Sequence, residues 1–320
     1  MLRLMLFAVL IVASVPAFAG FRSEDDGKAL HIFEDDAPVA AYNYAEVTPP
    51  EGVDAHYRRS AYFHPLYDLR GNVITEDFPE DHYHHRGVFW AWPKSTVGER
   101  LADVWALDGI RQYTVKAAVP ACTDRLLVLD AETRWAYDEA PDKAVARETL
   151  TVTFYAREGK RRAMDVVLSL WNTGEETLTL RGSDAPSAKD DPRPKGYGGF
   201  CFRPRAEHKP FTFTGKDGVV PDDVLALDSP WADVSFAPDG QTSGVAILQW
   251  PLNPGFPSEG WILRHYAFLG ASWPHREAHA LAPGEKVTLG YRVIVHDGTA
   301  EEADIAGASV EYAAAVAATK

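Results

Sequence analysis

Cysteine is scarce in this chain, with two in 320 residues, Cys122 and Cys201. Two widely spaced thiols are not a disulfide framework, and they cannot supply the paired C-x-x-C ligands of a structural zinc site. They leave either a single bridge or two buried thiols. Basic side chains are outnumbered, 32 Lys and Arg against 46 Asp and Glu, for a formal net charge of −14. A surface of that sign repels nucleic acid and anionic lipid. No apolar run beyond the N-terminal segment is long enough to span a bilayer. The H-E-x-x-H helix motif is missing, as are a glycine-rich loop joining a strand to a helix and any solenoid repeat. The sequence therefore points to no nucleotide cofactor, and a divalent metal ranks only as a lesser alternative.

The N-terminal segment sets the expected compartment. Arg3 supplies a positive start, Leu4 to Val15 an apolar stretch too short for a comfortable membrane span, and Ala17-Phe18-Ala19 a small-residue cleavage site. That layout predicts a secretory signal over residues 1–19 and a periplasmic or secreted mature protein.

The remainder has the composition of a globular chain, with 46% hydrophobic and 12% aromatic residues. Its middle alternates apolar and polar side chains, the period of half-buried strands. Strands are predicted over Arg111–Val119, Arg125–Tyr137, Val145–Arg157 and Arg162–Thr173, then Phe211–Thr214, Val234–Ala237, Val245–Trp250 and Lys286–His296. Glu158-Gly159-Lys160 and Asn172-Thr173-Gly174 read as hairpin turns. Little helix separates these runs, so the expected fold is all-β, a large two-sheet antiparallel sandwich over residues 20–298. A capping box at Thr299-Ala300-Glu301-Glu302 predicts a C-terminal helix over residues 299–320, with Ile305, Val310, Tyr312 and Val316 on its packed side. The Pro- and Gly-rich stretch Ser183–Gly199 reads as a long functional or mobile loop within one domain.

The chemistry concentrates between Arg58 and Trp92. Four of the eleven histidines, His64, His82, His84 and His85, lie there among Asp68, Asp77, Glu80, Asp81, Arg58, Arg59, Arg70 and Arg86. Histidine moves protons near neutral pH, carboxylates orient it, and arginine holds anionic or hydroxylated ligands. Three readings remain open: acid–base chemistry on a polar ligand such as a sugar, a metal site using His82-x-His84 on one face of an extended chain, and a structural polar loop. Later segments supply further candidates. Arg203 and Arg205 follow the glycine-rich loop, and Asn253, Arg264 and His265 lie near Trp250 and Trp261. Flat aromatic faces beside bidentate polar groups suit a sugar, although buried ion pairs and core tryptophans account for the same residues. Glu148 and Asp165 lie in regular strands, and the alternation is read as turning them to solvent.

The segment HPLYDLRGNVITEDFPEDHYHHRGVFWAW resembles the bacterial PmoA-family proteins, whose shared domain has no assigned function. GYGGFCFRPR, WPLNPG and RHYAFLGASWP extend the similarity over most of the mature chain, and Asp81–Gly87 is its most specific part. The resemblance implies a galactose-mutarotase-like sandwich in exported proteins of sugar-degrading bacteria, and no reaction. The oxygenase in the family's name does not fit, because a membrane-embedded enzyme of that kind needs several spanning helices. Sugar mutarotases resemble one another through a general-acid His in an H-x-Y-F-type strand. His64 follows Tyr62-Phe63 but is not followed by that motif.

The expected function is thus an exported carbohydrate-active protein, by lyase, hydrolase or epimerase chemistry if it is an enzyme. A non-catalytic sugar-binding protein and a metal-dependent enzyme are the alternatives. The partner is a small-molecule or glycan substrate. Candidate acid–base groups are His84, His85 and His64, and candidate ligand contacts are Arg86, Asp77, His82, Trp90, Arg203, Asn253, Arg264 and His265. One imidazole of the His84-His85 pair is expected to meet the ligand while the other bonds backbone or Asp81, with Gly87 allowing the turn. Cleavage after Ala19 is the first testable outcome. Intact mass of protein from its native host should place the N-terminus at Gly20, and a mature chain retaining Met1 contradicts export by this route.

Overall fold

The computed structural model describes residues 20–318. The expected signal over residues 1–19 and the last two residues of the chain lie outside the described residues. Every strand pair between them is antiparallel. An eight-stranded sheet runs in the order Phe21–Asp25, Ala29–Glu34, Ala37–Asn43, Tyr62–Leu66, Val88–Ala91, Gly199–Phe202, Phe268–Ala271, Trp261–Arg264. A nine-stranded sheet faces it, in the order Gly218–Val220, Thr212–Gly215, Trp231–Phe236, Ser243–Gln249, Lys286–Asp297, Arg161–Asn172, Ala146–Tyr155, Leu126–Tyr137, Ile110–Cys122. A small four-stranded sheet closes one side. The all-β antiparallel sandwich is the observed class.

Side-chain alternation makes this architecture. Strand Arg161–Asn172 buries Arg162, Met164, Val166, Leu168, Leu170 and Asn172 on one face. Its neighbour Ala146–Tyr155 buries Ala146, Glu148, Leu150, Val152 and Phe154. These series meet the inner face of the eight-stranded sheet in one continuous core. Glu158-Gly159-Lys160 turns as expected: Gly159 has φ +57°, and Glu158 and Arg161 exchange backbone hydrogen bonds of 2.8 and 3.0 Å. Asn172-Thr173-Gly174 does not make a hairpin. The buried Asn172 amide donates to the carbonyls of Glu176 and Leu281, each at 2.8 Å, and steers the chain out into the small sheet.

Four expectations need correction. Glu148 does not face solvent, because it falls in the buried phase of its strand. Its carboxylate is 1% exposed and accepts from Trp90 Nε1 (2.9 Å), Trp135 Nε1 (3.1 Å), Thr133 Oγ1 (3.0 Å) and Gln112 Nε2 (3.1 Å). Burial pushes its pKa up while those donors oppose the rise. Asp165 is half-buried, held bidentately by Arg292 at 2.7 and 2.8 Å. The cysteines are both free, Cys201 in the core and Cys122 exposed at a strand end, so neither a bridge nor a pair of buried thiols describes them. The capping box forms between Thr299 and Glu302 but closes a turn first; the helix itself runs Ile305–Ala317 with Asp304 as its N-cap. Its packed side is Ile305, Ala308, Tyr312 and Val316 against Trp231, Ala246, Leu248 and Ile294, while Val310 is 71% exposed. No helix among the described residues is long and apolar enough to cross a membrane.

Glu148 is the polar pin of the inter-sheet core, and removing it orphans four buried donors. Glu148→Ala should lower unfolding free energy by about 3 kcal/mol or more, with Glu148→Gln losing less because one acceptor oxygen survives. Denaturant unfolding of the two variants checks this; a loss below about 1 kcal/mol for the alanine contradicts it.

Candidate ligand-binding site

The polar segment before strand Val88–Ala91 is a compact turn. His82 N–H donates to Pro79 O at 2.9 Å and His85 N–H to His82 O at 2.8 Å. An extended chain would split neighbouring side chains to opposite sides, but this turn brings three imidazoles together. His82 stacks on His85 with ring centroids 4.6 Å apart and planes at 4°. His84 stands edge-on to His85 at 4.6 Å. Gly87 is required here for close approach rather than for a positive φ, since a Cβ on it would lie 2.3 Å from Phe63 O.

The three histidines line a cleft of about 370 Å³ with Trp105, Tyr197, Tyr266, Arg264 and Lys195. Strand alternation fixes where it lies. Trp90 and Phe200 point toward the nine-stranded sheet, meeting Glu148 and Tyr291. Phe89 therefore points to the outer face, where its ring lies 5.7 Å from His85 and 5.5 Å from Trp105. Phe268 completes the floor at 5.0 Å from His85. The stretch Ser183–Gly199 proves to be a wall of this cleft, contributing Ser183, Ala185, Lys195 and Tyr197.

Arg203 organises the floor. It is 1% exposed, and its Nη2 donates to Asp81 Oδ1 at 2.6 Å. Its Nη1 lies 3.4 Å from His85 Nδ1, its Nε faces Glu76 at 3.7 Å, and its guanidinium lies 5.3 Å from the Tyr266 ring centroid. A guanidinium only donates, so His85 Nδ1 must accept, and the neutral ring carries its proton on Nε2. That Nε2 is buried and has no partner in the protein. His85 thus presents an unspent N–H donor at the cleft floor. His82 turns its Nδ1 to Asp81 Oδ2 at 3.1 Å.

Burial and neighbouring cations keep His84 and His85 neutral. Burial lowers the His84 pKa to about 3, reinforced by His82, Arg59, Arg86 and Arg203. Burial likewise pushes His85 well below its ordinary value, with His84, His82 and Arg203 adding to the effect. The phenols stay protonated, as burial raises both Tyr266 and Tyr197. The cleft therefore offers neutral donors and acceptors plus two cations.

The other expected site residues lie elsewhere. Arg86 is 0% exposed and spends its donors on Tyr83 O and His85 O, both at 2.6 Å, on Tyr57 O and on Asp77. It locks the turn rather than reaching into the cleft, and Asp77 serves as its counter-ion while accepting from Tyr62 Oη at 3.0 Å. His64 bonds Thr75 Oγ1 at 3.0 Å, and burial lowers its pKa. Trp90 lies in the core on Glu148, and Asn253 pairs with the Gly290 backbone at 2.7 and 2.8 Å. His265 bonds Asp223 at 2.9 Å and stands edge-on to Phe213. Of the candidates, His82, His84, His85 and Arg264 line the cleft, with Arg203 directly behind it. Trp105, Lys195, Tyr197 and Tyr266 were missed. Tyr197 and Tyr266 sit inside GYGGFCFRPR and RHYAFLGASWP, whereas nothing in the sequence marks Trp105.

Two other features bound the interpretation. Among the described residues, no group of three or more His, Cys, Asp and Glu side chains is placed to hold a metal ion. The expected His82-x-His84 metal face presumes an extended strand, and the turn sets those two rings 5.6 Å apart at 82° instead. A larger groove of about 600 Å³ beside the C-terminal helix shares no lining residue with the histidine cleft and is mostly apolar.

A family of unknown function (DUF6807) matches residues 29–309, and the chain belongs to that family. No curated protein matches. Among solved structures, the chain is similar to YeaD from Salmonella typhimurium, described provisionally as a mutarotase, at 14% identity and a TM-score of 0.37, covering 89% of this chain and 98% of that one. A likeness at that level carries neither site residues nor chemistry to this protein.

The depressed His84 pKa has a consequence for stability. Between about pH 6.5 and pH 3 the unfolded chain takes up a proton at this position that the folded protein refuses. The contribution is therefore full above the unfolded pKa and falls as pH drops through that window. Unfolding of wild type and His84→Gln, followed from pH 7 to about pH 4, should show a shallower loss of stability in the variant. Parallel curves would contradict a neutral buried His84.

Proposed function

We propose that this is an exported carbohydrate-active protein that takes a sugar in the outer-face histidine cleft. One observation carries the reading: aromatic rings and unspent polar donors converge in a single concavity. Trp105, Tyr197 and Tyr266 offer flat apolar faces of the kind that pack on pyranose rings, while His85 Nε2–H, His84, Arg264 and Lys195 supply polar contacts for hydroxyls. The PmoA-type resemblance, with its exported and sugar-degrading context, points the same way.

The chemistry available is specific. No carboxylate lines the cleft, so the paired-carboxylate arrangement of most glycoside hydrolases does not fit it. His84 lines the cleft, its ring makes no hydrogen bond among the described residues, and being neutral it can accept a proton. His85 can stabilise negative charge developing on a nearby oxygen through its Nε2–H. This division suits proton abstraction next to a carbonyl or carboxylate, the first step of epimerase or lyase chemistry. The non-catalytic alternative has its own support: a His84 pKa of about 3 makes the ring a weak base near neutrality.

The mature protein, incubated with panels of glycans and keto-sugars, should bind a subset by calorimetry, and product analysis of those decides between enzyme and binder. His84→Ala should abolish binding or turnover and leave Tm within a few degrees, because a cleft-facing side chain contributes little to stability. Arg203→Ala should lower both, since it strips the partners from Asp81 and His85. Sugar binding untouched in both variants places the ligand elsewhere.

A further inference from the structure

We infer that the sugar recognised in this cleft is anionic, its carboxylate or phosphate met by Lys195 and Arg264. The inference rests on the carbohydrate reading above and names the substrate class. The cleft departs from the chain that contains it. The protein carries a net charge of −14, yet the cleft is lined by Lys195, Arg264 and three histidines and by no Asp or Glu. Asp81 and Asp223, which neighbour lining residues, are partly exposed but already engaged. Asp81 is held by Arg203 at 2.6 Å and by His82 at 3.1 Å. Asp223 is shared between Arg264 Nε at 3.2 Å and His265 Nδ1 at 2.9 Å, besides accepting from the His265 backbone at 2.7 Å.

Lys195 is an unpaired charge in the cleft wall. Its ammonium has no ion pair or hydrogen bond among the described residues, as is true of most lysines there, and its place in a lining free of carboxylates sets it apart. Arg264 approaches Asp223 most closely through Nε, at 3.2 Å, and its two terminal nitrogens make no hydrogen bond among the described residues. Behind the lining, the guanidinium groups of Arg59, Arg86 and Arg203 all act on His84 with the same positive sign. A partly desolvated concavity with these walls attracts a negative group, and the surrounding acidic surface makes the cleft the favourable place for it. A neutral sugar would leave Lys195 without a counter-charge.

The test uses the mature protein and five probes, D-glucuronate, D-galacturonate, glucose 6-phosphate and the neutral hexoses glucose and galactose, each measured calorimetrically at low and physiological salt. At least one anionic probe should bind roughly tenfold or more tightly than its neutral counterpart, with affinity weakening as salt rises. Preference for the uronates assigns a carboxylate, and preference for the phosphate ester assigns a phosphate. Lys195→Met, whose fold is checked by circular dichroism and Tm, should remove most of that preference by weakening the anionic probe several-fold more than its neutral counterpart. Equal affinity for acidic and neutral sugars overturns the inference and leaves the carbohydrate reading standing. An acid preference unchanged in both Lys195→Met and Arg264→Gln also overturns it, because the anion is then seated elsewhere. Binding of none of the sugars removes the carbohydrate reading, and this inference with it.

Discussion

The buried guanidinium of Arg203 is the constraint on which the cleft depends. A charge withdrawn from water needs compensating partners, although the Arg203 Nε makes no hydrogen bond and has only the Coulombic attraction of Glu76 at 3.7 Å. Here the compensation comes from Asp81, Glu76 and the ring of His85. The same residue is tied by its backbone, since its N–H donates to Gly87 O at 2.7 Å and its carbonyl accepts from Glu76 N at 3.0 Å. It thereby clamps the histidine turn to the end of strand Gly199–Phe202. Without that clamp, the turn carrying three imidazoles would rely on the Arg86 lock and on the buried Arg59, whose Nη1 donates to His84 O at 3.2 Å. The cleft is thus the product of three buried arginines, with Arg86 fixing the turn internally and Arg203 fixing it to the sheet.

A second consequence is chemical. Burying His84 and His85 among guanidinium groups opposes their protonation, so two residues that read as proton shuttles become neutral hydrogen-bonding rings. The donor sense of Arg203 then determines the tautomer of His85. A histidine beside a carboxylate would have acquired the opposite character, a raised pKa and a bound proton. Here the adjacent carboxylate, Asp81, is turned toward His82 and Arg203.

The sandwich was legible because half-buried strands repeat every two residues, and the long strands of the nine-stranded sheet follow their alternating runs to within a few residues. The first three strands of the eight-stranded sheet went unread, as they are short and weakly alternating; Ala37–Asn43 buries four successive residues, Val39 to Tyr42. Glu148 was misplaced because polarity was taken to mean exposure, and only tertiary structure shows four donors waiting for it. For the candidate cleft, the local density of histidine marked the turn that lines it. It could not separate His84 and His85, which face the cleft, from Arg86, which the fold consumes, because the two classes are adjacent in sequence and differ only in which carbonyls lie within reach. Trp105, Lys195 and Tyr266 come from three distant segments, and spatial convergence of that kind leaves no trace in spacing.

The protonation state of His85 tests the account most directly, because it follows from the Arg203 contact alone and needs no ligand. Nitrogen-15 spectra of the imidazoles in the mature protein should show His85 neutral at about pH 6, with its proton on Nε2, and Arg203→Lys should relax that preference. A proton on Nδ1, or an imidazolium at that pH, would mean that Arg203 does not face this ring as a donor, and the cleft floor described here would be wrong.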